Sequence, residues 1–334
     1  MHDIVLIPGD GIGPEITKSV TTILDAAGAD INWIECTAGL AAQEELGNPL
    51  PDETIDAINE HRLALKGPLT TPIGAGFRSV NVAMRKKFEL YSNIRPAKTL
   101  PHIDSKFDNV DLVMFRENTE GLYIGKEQWV KEDSHAESIA VVTRDASEKV
   151  IRSAFEYAKK KGRKKVTLVH KANILKFTCG LFMEVGEEIA EDYPGIEYED
   201  LIVDNMAMQM VLRPEQFDVI VTTNLFGDIL SDLASGLVGG LGLTGAANIG
   251  DNAAMFEAVH GSAPDIAGQN KANPIAFLLS ALMMLEHIDE NDLADRIRQA
   301  VYLTLEDKSV CTPDIGGSGS TTSFTEAVVN NLNK

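Results

Sequence analysis

The chain has 334 residues, 44% of them hydrophobic, enough to bury a substantial core in one large domain or two smaller ones. Lys and Arg number 30 against 50 Asp and Glu, and the resulting charge of −20 repels nucleic-acid phosphates and anionic membrane surfaces. A small polyanionic substrate meets the same repulsion, so any site for one must gather Arg, Lys or a metal locally.

The first predicted element is the strand-like run Ile4-Val5-Leu6-Ile7, and an amphipathic stretch from Glu15 to Ala27 reads as a helix. The pattern recurs with Val166 to Val169 before Leu181 to Ala190, and with Val219 to Thr222 before a helix running through Asp232. This alternation is that of an α/β protein. Gly-rich stretches at 237–250 and 315–319 read as crossings or ligand loops, and the Lys159–Lys165 basic run as a solvated helix end. Cys36, Cys179 and Cys311 are far apart with no Cys-x-x-Cys, which argues against a disulfide framework or a zinc site. With a strand opening the chain and no apolar run of spanning length, the expected setting is cytoplasmic, or the mitochondrial matrix if a presequence has been removed.

After the first strand comes Gly9-Asp10-Gly11-Ile12-Gly13-Pro14-Glu15, spaced GxGxG where a dinucleotide fingerprint is GxGxxG. Pro14 and Glu15 suit a helix first turn and displace the packing glycine that a Rossmann helix needs, so this reads as a tight turn near a ligand.

Chemistry-bearing residues follow. Arg85, Arg95 and Arg116 each sit among polar neighbours, and a guanidinium grips a carboxylate through two parallel hydrogen bonds, which suits a di- or tricarboxylate. Asp228 and Asp232 lie four apart on one face of a helix, where they repel unless a cation intervenes. With Asp204 as a third ligand the all-oxygen set fits Mg²⁺ or Mn²⁺; two exposed acids is the competing reading. Lys171 follows the strand Val166–Val169 and is either a desolvated general base or a solvated lysine. The small-residue loop after Glu257, containing His260, lets backbone amides approach a phosphate.

Together the segments IPGDGIGPE, RENTEGLY, HKAN, DNMAMQMV, NLFGDILSD and HGSAPDIAGQNKANP, in this order from Ile7 to about Thr322, closely resemble the β-decarboxylating dehydrogenases, the isocitrate/isopropylmalate dehydrogenase family. The resemblance implies an α/β two-domain fold distinct from Rossmann: residues 1–98 with 246–334 form a large cofactor domain, and 99–245 a small domain whose clasp joins a second subunit. It implies substrate binding by Ser79, Asn81, Arg85, Arg95, Arg116 and Asn173, metal binding by Asp204, Asp228 and Asp232, and proton transfer by Tyr123 and Lys171. NAD contacts fall to Thr71, His260, Gly261, Ala263, Asp265, Ile266 and Asn273. Asp265-Ile266 stand where NADP-using relatives carry Lys and Tyr; an Asp accepts from a ribose 2′-hydroxyl and repels a 2′-phosphate.

Two departures from the commonest pattern are Met84, where Leu is usual, and Gly121-Leu122 before Tyr123. Ser79 and Asn81 suit a distal carboxylate better than an isopropyl group, which favours isocitrate over isopropylmalate, while homoisocitrate, one methylene longer, stays open. The expected enzyme is thus an NAD-dependent isocitrate dehydrogenase acting as a homodimer or larger homo-oligomer, with no nucleic-acid or membrane partner. A non-catalytic regulatory subunit is the alternative of another class.

Overall fold

Strand β1 (His2–Ile7) buries four consecutive residues, Ile4 to Ile7, as a strand covered on both faces must. The structure, a computed structural model, describes residues 1–71 and 79–334. The chain continues through α1 (Gly13–Ala26), β2 (Ile31–Glu35), α2 (Leu40–Leu46), α3 (Asp52–His61) and β3 (Leu63–Lys66). Then come α4 (Val80–Lys87), β4 (Ser92–Lys98), β5 (Asp111–Glu117) and the hairpin β6 (Glu127–Lys131) and β7 (His135–Ser138). The middle of the chain alternates α5 (Arg144–Lys161), β8 (Lys165–His170), α6 (Thr178–Ala190), β9 (Glu197–Ile202), α7 (Val203–Leu212), β10 (Val219–Thr222) and α8 (Asn224–Leu237). It closes with β11 (Gly245–Ile249), β12 (Ala254–Ala258), α9 (Ile275–His287), α10 (Asn291–Thr304) and α11 (Thr321–Asn331).

Among the described residues ten strands form one sheet in the order β2-β1-β3-β12-β11-β4-β5-β10-β8-β9. Both wings are parallel, as the α/β rhythm predicts. The centre is not: β12–β11, β11–β4 and β4–β5 all pair antiparallel. This inserted seam sets the sheet apart from a doubly wound Rossmann sheet. The Gly-rich stretch at 237–250, read from sequence as a crossing or loop, holds the buried strand β11. Its glycine signal came from packing, because a Cβ at Gly245 would lie 2.6 Å from the Ser280 backbone nitrogen of α9.

Four apolar clusters flank the sheet. Two are drawn mainly from the chain ends, one under α1, α9, α10 and α11 and one under α3 and α4, while the other two come from about residue 97 to 238. Met84 is fully buried in the cluster under α4, so the departure there is a near volume-conserving core swap. The β6–β7 hairpin stands apart as its own two-stranded sheet, every residue exposed.

The GxGxG turn holds two other loops. Asp10 accepts backbone hydrogen bonds from Leu40, Ala41 and Thr70, and Ile12 donates to the Ser262 carbonyl at 2.8 Å. Gly11 has φ +59°, and a Cβ there would lie 2.0 Å from that same carbonyl oxygen. Pro14 and Glu15 occupy the first turn of α1, as the sequence predicts, and Glu15 also accepts from the backbone of Asn270 and Ala272.

Candidate active site

The site is built where the seam meets α8. Register places Asn248 of β11, Asn93 of β4, Arg116 of β5, Thr222 of β10 and Val169 of β8 in one row across the sheet. Arg95 lies two residues from Asn93 and so shares its face. On that side, α8 follows β10 directly and aims Asn224, Asp228 and Asp232 at the two arginines. Arg116, 1% exposed, donates to Asn224 Oδ1 from Nε at 2.9 Å and Nη2 at 2.7 Å, and from Nη1 to Asp228. Arg95 Nη1 meets Ser231 Oγ at 2.7 Å and Asp232 at 3.5 Å, while its Nη2 lies 3.7 Å from Asp228. Arg85 reaches in from α4 and donates to Glu257 Oε1 at 3.1 Å, with Lys66 Nζ 2.6 Å from the other oxygen.

Three guanidiniums therefore converge, as the sequence predicts, and supply the local positive field an acidic chain otherwise lacks. Burial and the nearby charges of Arg116 and Arg85 push Arg95 down to about 10, which leaves it protonated at neutral pH. Burial opposes ionisation of Asp228, but the three arginines and the Tyr123 hydrogen bond outweigh it and hold the carboxyl below its ordinary value. Asp232 is shifted up, by burial and by repulsion from Asp228. Burial and the hydrogen bond to Asp228 also raise Tyr123, whose ring lies 5.0 Å from the Arg116 guanidinium carbon. Tyr123 sits on a single 3₁₀ turn after Gly121, whose φ of +76° and close approach to Asn224 suit glycine.

The other predicted residues fall into two groups. Ser79 caps α4 by accepting from the Val82 backbone, and Asn81 presents a buried Oδ1 with no partner among the described residues; Arg85 Nε is likewise buried and unpaired. These orphan atoms suit a substrate with acceptors and donors of its own. Lys171, Asp204 and Asn173 form the second group and do not join the arginines within one chain. Of the two readings of Lys171, desolvated base or solvated lysine, the single chain shows the second: Lys171 Nζ pairs with Asp204 at 2.5 Å and its side chain is 26% exposed. Buried His170 fixes the turn before it, accepting from the Ala172 backbone at Nδ1 and meeting Asp200 with Nε2 at 2.9 Å. Asn173 is exposed.

The expected metal trio is likewise incomplete in one chain. Asp228 and Asp232 stand together, but among the described residues no three His, Cys, Asp or Glu side chains cluster to hold an ion, because Asp204 is on α7 beside Lys171. The two α8 carboxylates fit an oxygen-preferring divalent cation as a partial set.

Apart from Thr71, which follows β3, the proposed cofactor residues lie in the segment between β12 and α9. His260 Nε2 is buried and unpaired among the described residues, and burial lowers its pKa, so it is neutral at pH 7. Ala263 adopts φ +38°, which turns the loop sharply, and Gly261 is open. Asp265 is exposed and in no ion pair among the described residues; Thr71 is exposed and Ile266 half-buried. Asn273 is already engaged, donating to Asp314 at 2.8 Å and accepting from the Ile275 backbone. A neutral unpaired imidazole, open glycine and free carboxylate suit a nucleotide in this loop.

Sequence reasoning assigned no role to Lys66, Asn93, Asn224 or Asn248. Asn224 and Lys66 left a faint signal, a polar residue near a strand's carboxyl end; Asn93 and Asn248 left none, since an Asn in a short run reads as a turn.

Residues 3–328 match the profile of the family described as isocitrate/isopropylmalate dehydrogenase. The Arabidopsis thaliana protein named isocitrate dehydrogenase [NAD] catalytic subunit 5, mitochondrial, is 48% identical over 98% of this chain and 87% of its own length. An isocitrate dehydrogenase [NADP] of Thermus thermophilus is 47% identical over 99% of this chain and 68% of its own. The crystal structure of isocitrate dehydrogenase from Methylococcus capsulatus superposes with a TM-score of 0.97 at 56% identity, each chain fully covered. Among the described residues no helix is long and apolar enough to cross a membrane. By profile, identity and fold together, the chain belongs to the isocitrate/isopropylmalate dehydrogenase family.

Proposed function

We propose that this chain oxidatively decarboxylates isocitrate to 2-oxoglutarate and CO₂, using NAD and Mg²⁺ or Mn²⁺. The observation that carries the reading is the grouping of three arginines, Arg95 and Arg116 on the two α8 aspartates with Arg85 beside them on Glu257, a concentration of guanidiniums in an acidic protein. Three bidentate donors match a tricarboxylate. Unliganded, Arg95 and Arg116 neutralise Asp228 and Asp232; substrate carboxylates would take over the guanidiniums and release the aspartates for a cation.

When bound, the cation stabilises negative charge on substrate oxygens and NAD accepts the two electrons of the oxidation. Lys171 takes the hydroxyl proton, directly or through water. Tyr123, kept protonated by its raised pKa, donates a proton to carbon after CO₂ leaves. Asp265 accepts from the ribose 2′-hydroxyl, the basis for choosing NAD although an NADP-using relative is equally similar.

Because Lys171 and Asp204 lie apart from Tyr123, Asp228 and Asp232, the complete site needs both groups from different copies. Exposed Phe177, Ile174, Met208, Leu212 and Ile229, with the unsupported β6–β7 hairpin, support a homodimer that buries them and brings Lys171 and Asp204 into its partner's arginine cluster. Residues 99–245 would be the smaller, clasping domain, and 1–98 with 246–334 the cofactor domain. Three unpaired cysteines suit a reducing compartment, cytoplasm or mitochondrial matrix.

The test is side-by-side kcat/KM for isocitrate, homoisocitrate and 3-isopropylmalate with and without chelator. Isocitrate should exceed isopropylmalate by at least about a hundredfold, because an isopropyl group offers the Ser79 hydroxyl and the Asn81 amide no hydrogen-bond partner. Activity should vanish in chelator and return with Mn²⁺ or Mg²⁺. Equal turnover of isocitrate and isopropylmalate refutes the assignment, and no turnover by the purified chain favours a regulatory subunit.

A further inference from the structure

Two of the substrate-site arginines are joined through the interior of the sheet. Arg95 Nε donates to Asn93 Oδ1 at 2.6 Å, Asn93 Nδ2 to Asn248 Oδ1 at 2.9 Å, and Asn248 Nδ2 to Glu257 Oε1 at 2.9 Å. Arg85 Nη2 closes the path on that same Glu257 oxygen at 3.1 Å. Asn93 and Asn248 are both 0% exposed. Every amide in the path donates toward Glu257, so the bonds polarise one another from a cation at one end to an anion at the other.

We propose that Asn248 is a positioning residue for substrate binding: through Asn93 and Glu257 it fixes the separation of Arg95 and Arg85, and thereby the spacing of carboxylates the site accepts. This rests on the reading of Arg85 and Arg95 as substrate ligands. Asn248 cannot rotate without loss, because both amide hydrogens and both oxygen lone pairs are engaged; the remaining partners are the Met255 carbonyl at 3.2 Å and Asn118 Nδ2 at 2.9 Å. It sits on β11 opposite Asn93, across the β11–β4 pairing that joins the two parallel wings. A seam serving packing alone has no need of buried amides, since apolar residues of the same volume hold strands together without a desolvation cost. Here the polar row ends on arginines at both sides. Glu257 in turn is kept ionised by Lys66, so the Arg85 end of the path stays anchored.

Asn248→Leu keeps the approximate volume and deletes all four bonds; Asn93→Ala cuts the same path from its other side. Relaxing an arginine by an ångström or less is expected to lower kcat/KM for isocitrate by about ten- to a hundredfold, chiefly through KM. Preference for isocitrate over homoisocitrate should narrow by about tenfold, because a looser spacing no longer reads one methylene. The double variant should lose little more than either single one, as two members of one path do. Thr304→Val, which removes a fully buried hydroxyl far from the site, is the matched stability control and should leave the preference intact. A second readout is independent of catalysis: in ¹⁵N-arginine spectra, Asn248→Leu should shift the Nε–H signals of both Arg85 and Arg95, neither of which Asn248 touches. If Asn248→Leu does not fold, Asn93→Ala carries the preference readout and, at Arg85, which Asn93 does not touch, the spectral one. Unmoved arginine signals, or an unchanged isocitrate preference in an enzyme that turns isocitrate over, overturns the proposal. An inactive natural enzyme would instead sink the functional reading, while the arginine spectra still decide whether Asn248 positions the pair.

Discussion

Gly227 on α8 faces the Arg116 side chain so closely that an added Cβ would lie 2.6 Å from Cγ and 2.7 Å from Cβ of that arginine. Ordinary carbon contact begins near 3.5 Å, so Gly227→Ala must drive Arg116 or the helix aside by almost an ångström. Arg116 is 1% exposed and held by Asn224 and Asp228, leaving no free direction of relief. Overpacking of this kind costs about 1–3 kcal/mol, offset by up to about 1 kcal/mol from alanine's helix propensity. For 334 residues, at ~2.1 cal/mol/K each, the unfolding entropy is ~0.7 kcal/mol/K, so Tm should fall by no more than about 4 °C. Catalysis should suffer more: an ångström at a substrate guanidinium predicts roughly a hundredfold loss of kcat/KM. Steady-state kinetics beside calorimetry separate the two effects. Gly236→Ala, on the same helix with no heavy atom of the described residues within 4 Å of its new Cβ, is the control and should keep full activity. Wild-type kcat/KM in Gly227→Ala would show that Arg116 need not stay where α8 holds it, and the site reading would fail with it.

If the site is shared between subunits, unfolding and reassembling Tyr123→Phe chains with Lys171→Met chains should recover about a quarter of normal activity, half the dimers being mixed with one intact site of two; recovery no higher than the parents' residual rates would put both residues in one chain. NAD should be preferred over NADP in kcat/KM, and Asp265→Lys with Ile266→Tyr should reverse or erode that preference; a higher kcat/KM with NADP in the natural enzyme refutes the role of Asp265. Glu257 titrates well below its ordinary value, because Lys66 and Arg85 outweigh its burial, so its ionised form stabilises the fold above the unfolded value near 4.5 and that contribution is lost as pH falls through the lower folded value. Glu257→Gln should therefore lower Tm most at neutral pH, with the gap to the natural protein shrinking in acid; a gap constant down to pH 3 contradicts this.

The parallel wings were legible in the sequence because apolar runs such as Val166–Val169 and Val219–Thr222 need burial on both faces, and few alternatives satisfy that. The antiparallel seam was not. β11 reads Gly-Ala-Ala-Asn-Ile, small and polar, and its strand character arises from Ser280 and Asn93 pressing on it rather than from propensity. The arginines and aspartates were visible as residue types suited to carboxylates and cations, and α8 confirms that Asp228 and Asp232 share a face. What pairs with what was invisible: Asn248 meets Glu257 and Asn93 only because β11 lies between β12 and β4, and Lys171's exposed pairing with Asp204 depends on where α7 falls after β9. The turn at Gly9–Glu15 shows a third case, a motif recognisable as a ligand-side turn whose glycines answer to neighbouring loops at Pro68 and Ser262.

The placement of β12 between β3 and β11 sets an order on how this chain acquires its shape during synthesis. Strand β3 is complete by residue 66, yet its neighbour β12 begins at residue 254, and Ser19 on α1 meets Thr325 on α11 across a separation of 306 residues. The apolar cluster under α1 also waits for Phe324 and Val328, so the first hundred residues emerge from a ribosome with their core side uncovered. The segment from β5 to α8 is contiguous, and its two clusters close on themselves as soon as it has been made. Folding from the middle outward follows, with the ends knitting last over long loop closures; a stalled or truncated chain lacking only α11 would leave the N-terminal apolar face open to aggregation.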